Sequence, residues 1–223
     1  TKSKKKKLLK DLPISLIQAI KHYFVSTAIR RARGQKTAHS SMLINVSQYI
    51  KKQDDVYRLV NAQVIEYCDQ IDCLDDNPAF EKDLESIFLE KITHSNSIIC
   101  QMYPEWSDRL DMPLWTNVRE ELRFVAAKVR NEVRVIHSST DDDYELNTTR
   151  LDYNKYENRE KEIDNGLYVI AIGGNTMARG ITLEGLVVSY FFRTSNTFDT
   201  LMQMGRWFGY REIGRASCRE RVS

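Results

Sequence analysis

Several features of membrane, secreted and metal-binding proteins are missing from the 223-residue sequence. No run approaches the eighteen or more apolar residues of a membrane span, and the lysine-rich start lacks the apolar stretch of a signal peptide. The four cysteines form no Cys-x-x-Cys pair, and none stands at a familiar metal-site distance from the four histidines. We therefore expect a cytoplasmic protein without a metal site or a membrane partner, with reduced and mostly buried thiols.

Two catalytic cores are missing as well. No Gly-Lys-Ser/Thr occurs and no Asp-Glu pair closes an apolar strand, so the phosphate loop and metal-holding acid of an ATPase are absent. No lysine has an acid two residues before it, and His-x-Lys and paired-histidine sites do not occur, which excludes common metal-dependent nuclease cores. We expect neither ATP hydrolysis nor DNA cleavage from these residues alone.

The composition is that of an ordinary globular protein. Apolar residues make up 42%, charged residues 29%, and the formal net charge is +2. This length most simply accommodates one α/β domain with additions. Because the chain opens at Thr1 without an initiator methionine, we expect it to be the interior of a longer protein. The six lysines in residues 1–11 fit a solvated terminus or a phosphate-gripping arm.

The most informative stretch is residues 167–211. Leu167 to Ile172 is a short apolar run without polar alternation, which predicts a parallel strand covered on both faces. The run stops at Gly173-Gly174-Asn175, where the chain can turn sharply and bring backbone amides close to a ligand. Ligands bind open α/β sheets at this carboxyl edge, so we expect a site here.

A second group of glycines and arginines follows. Arg179-Gly180 precedes a predicted strand from about Leu186 to Phe192, and Thr197 is the expected N-cap of a helix. Glycine destabilises a helix, so the glycines near the end of this predicted helix favour a functional role over a packing role. That end reads Gln203-Met204-Gly205-Arg206-Trp207-Phe208-Gly209-Tyr210-Arg211.

The pattern Asn-x-x-x-Arg-Gly, strand, Gln-x-Gly-Arg…Arg resembles the fifth and sixth motifs of superfamily 2 helicases, which lie on the second RecA-like domain. It is closer still to the Z-one domain, a helicase-like module with a provisional endonuclease label in DNA-restriction-type systems. The resemblance is dense over residues 167–211. It implies an α/β, RecA-like (P-loop NTPase type) fold with a mostly parallel sheet.

The resemblance also implies roles for individual residues. In such helicases the fifth motif touches the nucleic-acid backbone and the nucleotide site, and the sixth supplies an arginine finger to ATP. Nucleic-acid binding is thereby implied for Gly173, Thr176 and Arg179, and nucleotide binding for Gly174, Asn175, Gly180, Gln203 and Gly205. Arg206 and Arg211 are the implied catalytic residues, and which of them is the finger stays open. Asn175 and Thr182 stand where the common helicase pattern has acids.

The chain divides into three predicted parts. Residues 1–51 and 131–211 form the RecA-like domain, with strands expected at Ser41 to Ser47 and Val133 to His137. Residues 52–130 form a helical insertion, because amphipathic stripes recur there, one of them after the expected cap Thr116. Residues 212–223 resemble a translated cloning or adapter sequence, so we expect this tail to be foreign to the protein.

Three polar groups each have two interpretations. The cluster Arg30, Arg31 and Arg33 at the end of the helix predicted from Pro13 to about Arg33 fits helix capping as well as nucleic-acid binding. His39 is either a hydrogen-bonded structural residue or points toward the site. The acidic run Asp141, Asp142 and Asp143 is typical of a solvated loop rather than a metal site.

Two functions follow. The first is the second motor lobe of a nucleic-acid-dependent ATPase in a DNA restriction or repair system. The full-length protein would then use ATP and Mg²⁺, and its partners would be DNA, an N-terminal RecA-like domain of the same protein and restriction-system proteins. The alternative is a non-catalytic DNA-binding or assembly module that keeps the fold.

Overall fold

The computed structural model describes residues 11–46, 50–109, 111–136, 166–174 and 183–191. Its α-helices are α1 (Ile14–Ala32), α2 (Ile50–Asp72), α3 (Pro78–Ser86), α4 (His94–Met102) and α5 (Trp115–Val129). Its strands are β1 (Ser40–Asn45), β2 (Val133–Ile136), β3 (Tyr168–Gly173) and β4 (Leu186–Phe191). A π-helical segment, Ile87–Thr93, joins α3 to α4, and short 3-10 turns occupy Leu74–Asp76 and Pro104–Arg109.

The four described strands form one parallel sheet in the order β2-β3-β1-β4. Each strand lies within two residues of its position predicted from apolar runs, and β3 continues through Gly173. The predicted α/β class with a mostly parallel sheet is therefore confirmed, and the arrangement is compatible with a RecA-like fold. Between β1 and β2 the described chain is helical, as predicted, while the domain boundaries stay a prediction.

The two central strands of the sheet, β1 and β3, are buried on both faces. Met42, Ile44 and Ile170 belong to one hydrophobic cluster with the buried sides of α1, α2 and α5. Leu43 and Val169 alternate with them, therefore face the opposite side, and are fully buried outside that cluster. Two covered faces explain the absence of polar alternation in these strands.

Helices α3 and α5 begin in different ways. Asn77 caps α3, because its Oδ1 accepts a hydrogen bond from the backbone N–H of Phe80 at 3.2 Å, with Pro78 in the first turn. The predicted cap Thr116 is wrong. The backbone leaves helical angles at Leu114 (φ −65°, ψ 148°), so Thr116 already lies inside α5 and caps nothing.

Candidate functional site

The carboxyl ends of the four strands lie at one edge of the sheet. Gly173 at the end of β3 pairs with Ile136 of β2 on one side and with Asn45 of β1 on the other. Asn45 in turn pairs with Phe191 of β4. The backbone N–H of Val46 donates to the carbonyl oxygen of Gly173 at 2.7 Å, which holds β1 and β3 together beyond the last register pair.

The order of the strands makes the gap between β1 and β3 a switch point. β2, which follows β1 in the sequence, lies on the β3 side of β1, whereas β4, which follows β3, lies on the opposite side of β1. Parallel α/β sheets bind ligands in the crevice outside the carboxyl ends of two adjacent strands whose connections run in opposite directions. Asn45 and Gly173 are the facing residues at this crevice.

Asn45 is the most unusual residue at this edge. Its side chain is fully buried, yet neither Nδ2 nor Oδ1 has a hydrogen-bond partner in the part of the chain that the structure describes. A buried amide without partners costs about 1–3 kcal/mol, so it calls for an explanation. Sequence reasoning missed Asn45. The available signal was a polar side chain directly after the apolar residues Met42 to Ile44 of a predicted strand.

Two residues of the predicted site lie at this edge. Gly173 and Gly174 are both buried at the end of β3, beside Asn45. The other predicted site residues lie outside the described residues, and their roles stay predictions: Asn175, Thr176, Arg179, Gly180, Gln203, Gly205, Arg206 and Arg211.

The basic cluster at the end of α1 has structural contacts at the amino edge of the sheet. Arg30 Nη1 donates to the carbonyl oxygen of His39 at 3.0 Å. Arg31 is 3% exposed, and its Nε donates to Glu121 Oε2 at 2.7 Å while its Nη1 donates to the Tyr168 hydroxyl at 2.9 Å. These contacts favour the structural interpretation over nucleic-acid binding.

Electrostatics around Arg31 agree with that interpretation. Burial lowers the pKa of the guanidinium, but the hydrogen bonds and charge interactions with Tyr168 and Glu121 together outweigh burial, so the pKa of Arg31 lies above its ordinary value. The guanidinium carbon also lies 3.5 Å from the ring centroid of Phe124. Arg31 therefore stays charged and ties α1, α5 and β3 together.

His39 is a hydrogen-bonded structural residue. Its Nδ1 accepts the backbone N–H of Leu167 at 2.9 Å, and its ring is largely buried. Its Nε2 lies 3.9 Å from Glu184 Oε2. His39 precedes β1 and therefore lies at the amino edge of the sheet, away from the crevice between Asn45 and Gly173.

The cysteines correct one expectation. Cys68 is buried, but Cys73 is exposed and Cys100 is intermediate, so the described thiols are not mostly buried. Cys73 comes directly after the last residue of α2, where the chain passes over the surface.

The described residues contain neither a cluster of metal ligands nor a membrane-spanning helix. In the described ranges no group of three or more His, Cys, Asp or Glu could hold a metal ion, and Asp141 to Asp143 lie outside these ranges. None of the described helices is long and apolar enough to cross a membrane.

The fold and the carboxyl edge of the sheet together define an α/β protein with a parallel sheet and a candidate ligand site at its switch point. The chain belongs to the Z1 domain family, the Z-one domain of the resemblance above, because the Z1 domain family model matches residues 15–219. No curated protein and no solved structure gives a significant match. The matched range includes part of residues 212–223, so the foreign origin of that tail stays a prediction.

Proposed function

We propose that this chain is the second motor lobe of a nucleic-acid-dependent ATPase of a DNA restriction or repair system. One observation carries the proposal. The Asn-x-x-x-Arg-Gly pattern begins at Asn175, one residue beyond Gly174, which follows the end of β3 at the switch point between β1 and β3. A ligand-binding motif is expected to start at this place in a parallel sheet.

The residues of the chain fit one half of an ATP site. Arginine can bridge two phosphate oxygens at once, so Arg206 or Arg211 would stabilise the charge that develops on the transferred phosphoryl group. The sequence has no phosphate loop and no metal-holding acid pair, so a facing RecA-like lobe would bind Mg²⁺ and the ATP phosphates. This chain alone should therefore not turn over ATP.

DNA cleavage is not part of the proposal. Because no lysine has an acid two residues before it, a metal-dependent nuclease centre would have to come from restriction-system partner proteins or other parts of the protein. DNA would instead be the strand on which the motor acts. Arg179 and the backbone amides near Gly173 would contact its phosphates.

The missing phosphate loop also favours a second function, a non-catalytic DNA-binding or assembly module. ATP hydrolysis by the full-length protein, measured with and without DNA, separates the two. The motor function predicts DNA-stimulated hydrolysis, and Arg179→Ala should weaken that stimulation. The same substitution should reduce the salt dependence of DNA binding by about one neutralised phosphate charge. The matched control is Arg58→Ala, because Arg58 is an exposed arginine paired with Asp55 on α2. Hydrolysis that is absent with and without DNA would reject the motor and favour the module.

A further inference from the structure

Asn45 and Phe191 lie side by side at the carboxyl edge of the sheet. They are register partners on the adjacent parallel strands β1 and β4, so their side chains project from the same face. Asn45 is fully buried with both amide atoms unpartnered among the described residues, whereas 38% of Phe191 is exposed. An unpaired amide therefore lies next to a partly exposed aromatic residue.

A second unpaired group lies on the same face. Ser189, two residues before Phe191 on β4, pairs with Leu43 in the register, and its Oγ is buried without a partner in the described ranges. Leu43, Val169 and Ala171 are fully buried on this face, and its other polar side chains on β1 and β2, Ser41 and Arg134, have hydrogen-bond partners in Glu184 and Glu132. Polar atoms without partners are rare in such surroundings, so their clustering near one strand end points to a ligand.

The chemistry of the amide selects the ligand. An asparagine side chain offers a donor and an acceptor side by side. Phosphate oxygens only accept hydrogen bonds and would leave Oδ1 unpaired, whereas a metal ion would leave Nδ2 unpaired. A nucleobase edge presents an adjacent donor and acceptor, as adenine does with N6–H and N7, and its flat face stacks on aromatic rings.

We propose that Asn45 and Phe191 form a nucleobase site at the switch point. The Asn45 amide pairs with the edge of an adenine-like base, and the Phe191 ring stacks on its face. The proposal rests on the proposed function, since ATP or a DNA strand would supply the base. Because Asn45 is fully buried, a base must displace the atoms that cover the amide, and the affinity for a nucleoside alone should be weak.

Nuclear magnetic resonance on the ¹⁵N-labelled chain tests this directly, with the side-chain amide of Asn45 and the backbone amide of Gly173 as reporters. The probes are adenosine, ATP, a single-stranded deoxyadenosine oligonucleotide and inorganic tripolyphosphate. We expect adenosine to shift both reporters and tripolyphosphate to shift neither. The relative affinities of ATP and the oligonucleotide identify the source of the base. Shifts caused by tripolyphosphate and not by adenosine would overturn the base site.

Variants separate a binding role from a structural one. Asn45→Leu should weaken adenosine binding about tenfold or more, through loss of the paired edge. Its melting temperature should be unchanged or higher, because an apolar group replaces an unpaired buried amide. Phe191→Leu should weaken binding about tenfold through loss of stacking. Tyr190→Phe is the control, because Tyr190 projects from the opposite face, where its hydroxyl lies 2.7 Å from Ser15 Oγ.

A buried water is the competing occupant of the site. In that case Asn45→Leu lowers the melting temperature and adenosine shifts neither reporter, which rejects the proposal. If Asn45→Leu does not fold, Phe191→Leu decides, since unchanged adenosine binding by that variant also rejects the site. The assay uses neither DNA stimulation nor hydrolysis. Adenosine binding without DNA-stimulated turnover would therefore support the base site while the motor function failed.

Discussion

Gly185 and His39 approach so closely that a Cβ atom on Gly185 would lie 1.8 Å from the carbonyl oxygen of His39. Gly185 also has a φ of +64°, a region that residues with side chains rarely adopt. The approach lets the carbonyl of Gly185 accept the backbone N–H of Ser41 at 2.9 Å, which starts the pairing of β1 with β4. The contact is between backbones and cannot relax by a side-chain rotation.

We therefore expect Gly185→Ala to lower the free energy of unfolding by about 3 kcal/mol. Gly34→Ala is the matched control. Gly34 has a φ of +87°, but nothing lies within 4 Å of an added Cβ, so only backbone strain of about 1 kcal/mol should remain. Urea denaturation of the two variants measures the difference. Equal losses would show that the contact with His39 does not matter.

Arg31 should be the most important arginine for stability among those that the structure describes. Arg31→Ala leaves the Glu121 carboxylate, which is 17% exposed, with only the exposed Lys36, whose Nζ lies 3.6 Å from Oε1. We expect a loss of about 3 kcal/mol, because the closer, buried partner of Glu121 is removed and the Tyr168 hydroxyl loses its donor. Arg123→Ala, which removes an exposed partner of Asp75, should cost below about 1 kcal/mol. Thermal and urea unfolding measure both, and a similar cost for the two would contradict the assignment.

Burial raises the pKa of the Cys68 thiol from 9.0 to about 12. The unfolded state thus loses this proton at lower pH than the folded state. The resulting contribution to stability is complete below pH 9 and is lost as the pH rises toward 12. We expect Cys68→Ala to show a smaller decline in the free energy of unfolding between pH 9 and pH 11 than the parent. Urea titrations across this range test it, and parallel curves would contradict it.

The described elements follow from local patterns to different degrees. Apolar runs such as Leu167 to Ile172 predicted the strands, because a parallel strand covered on both faces has few polar residues. The prediction of Thr116 as the cap of α5 was wrong, because Thr is a favoured cap residue and no local pattern indicated that Leu114 occupies the cap position instead. The role of His39 depends on Leu167, far away in the sequence, and therefore needed the fold.

The candidate site was only partly accessible from the sequence. Glycines after an apolar strand indicated the carboxyl edge at Gly173 and Gly174, because a glycine turn has a local signature. Asn45 has no such signature, since its importance comes from burial without hydrogen-bond partners and from its register with Gly173 and Phe191. Those are properties of three strands brought together from distant parts of the chain.

The last prediction distinguishes Arg206 from Arg211 in the full-length protein. Arg206 follows Gly205 in a pairing that resembles the sixth helicase motif, whereas Arg211 comes last, after Gly209, where a finger could cross the gap between two lobes. A finger stabilises mainly the transition state, so Arg211→Lys should reduce turnover about a thousandfold or more while barely changing ATP affinity. Lysine keeps the charge but cannot bridge two phosphate oxygens.

Arg206→Lys should instead weaken ATP binding or its coupling to DNA. Steady-state hydrolysis gives the turnover of each variant, and equilibrium binding of a non-hydrolysable ATP analogue gives its affinity, which keeps the two effects apart. If instead Arg206→Lys reduces turnover and Arg211→Lys weakens ATP binding, Arg206 is the finger and the motor function still holds. If both variants hydrolyse ATP within about threefold of the parent, neither arginine acts in the transition state, and the motor function fails with them.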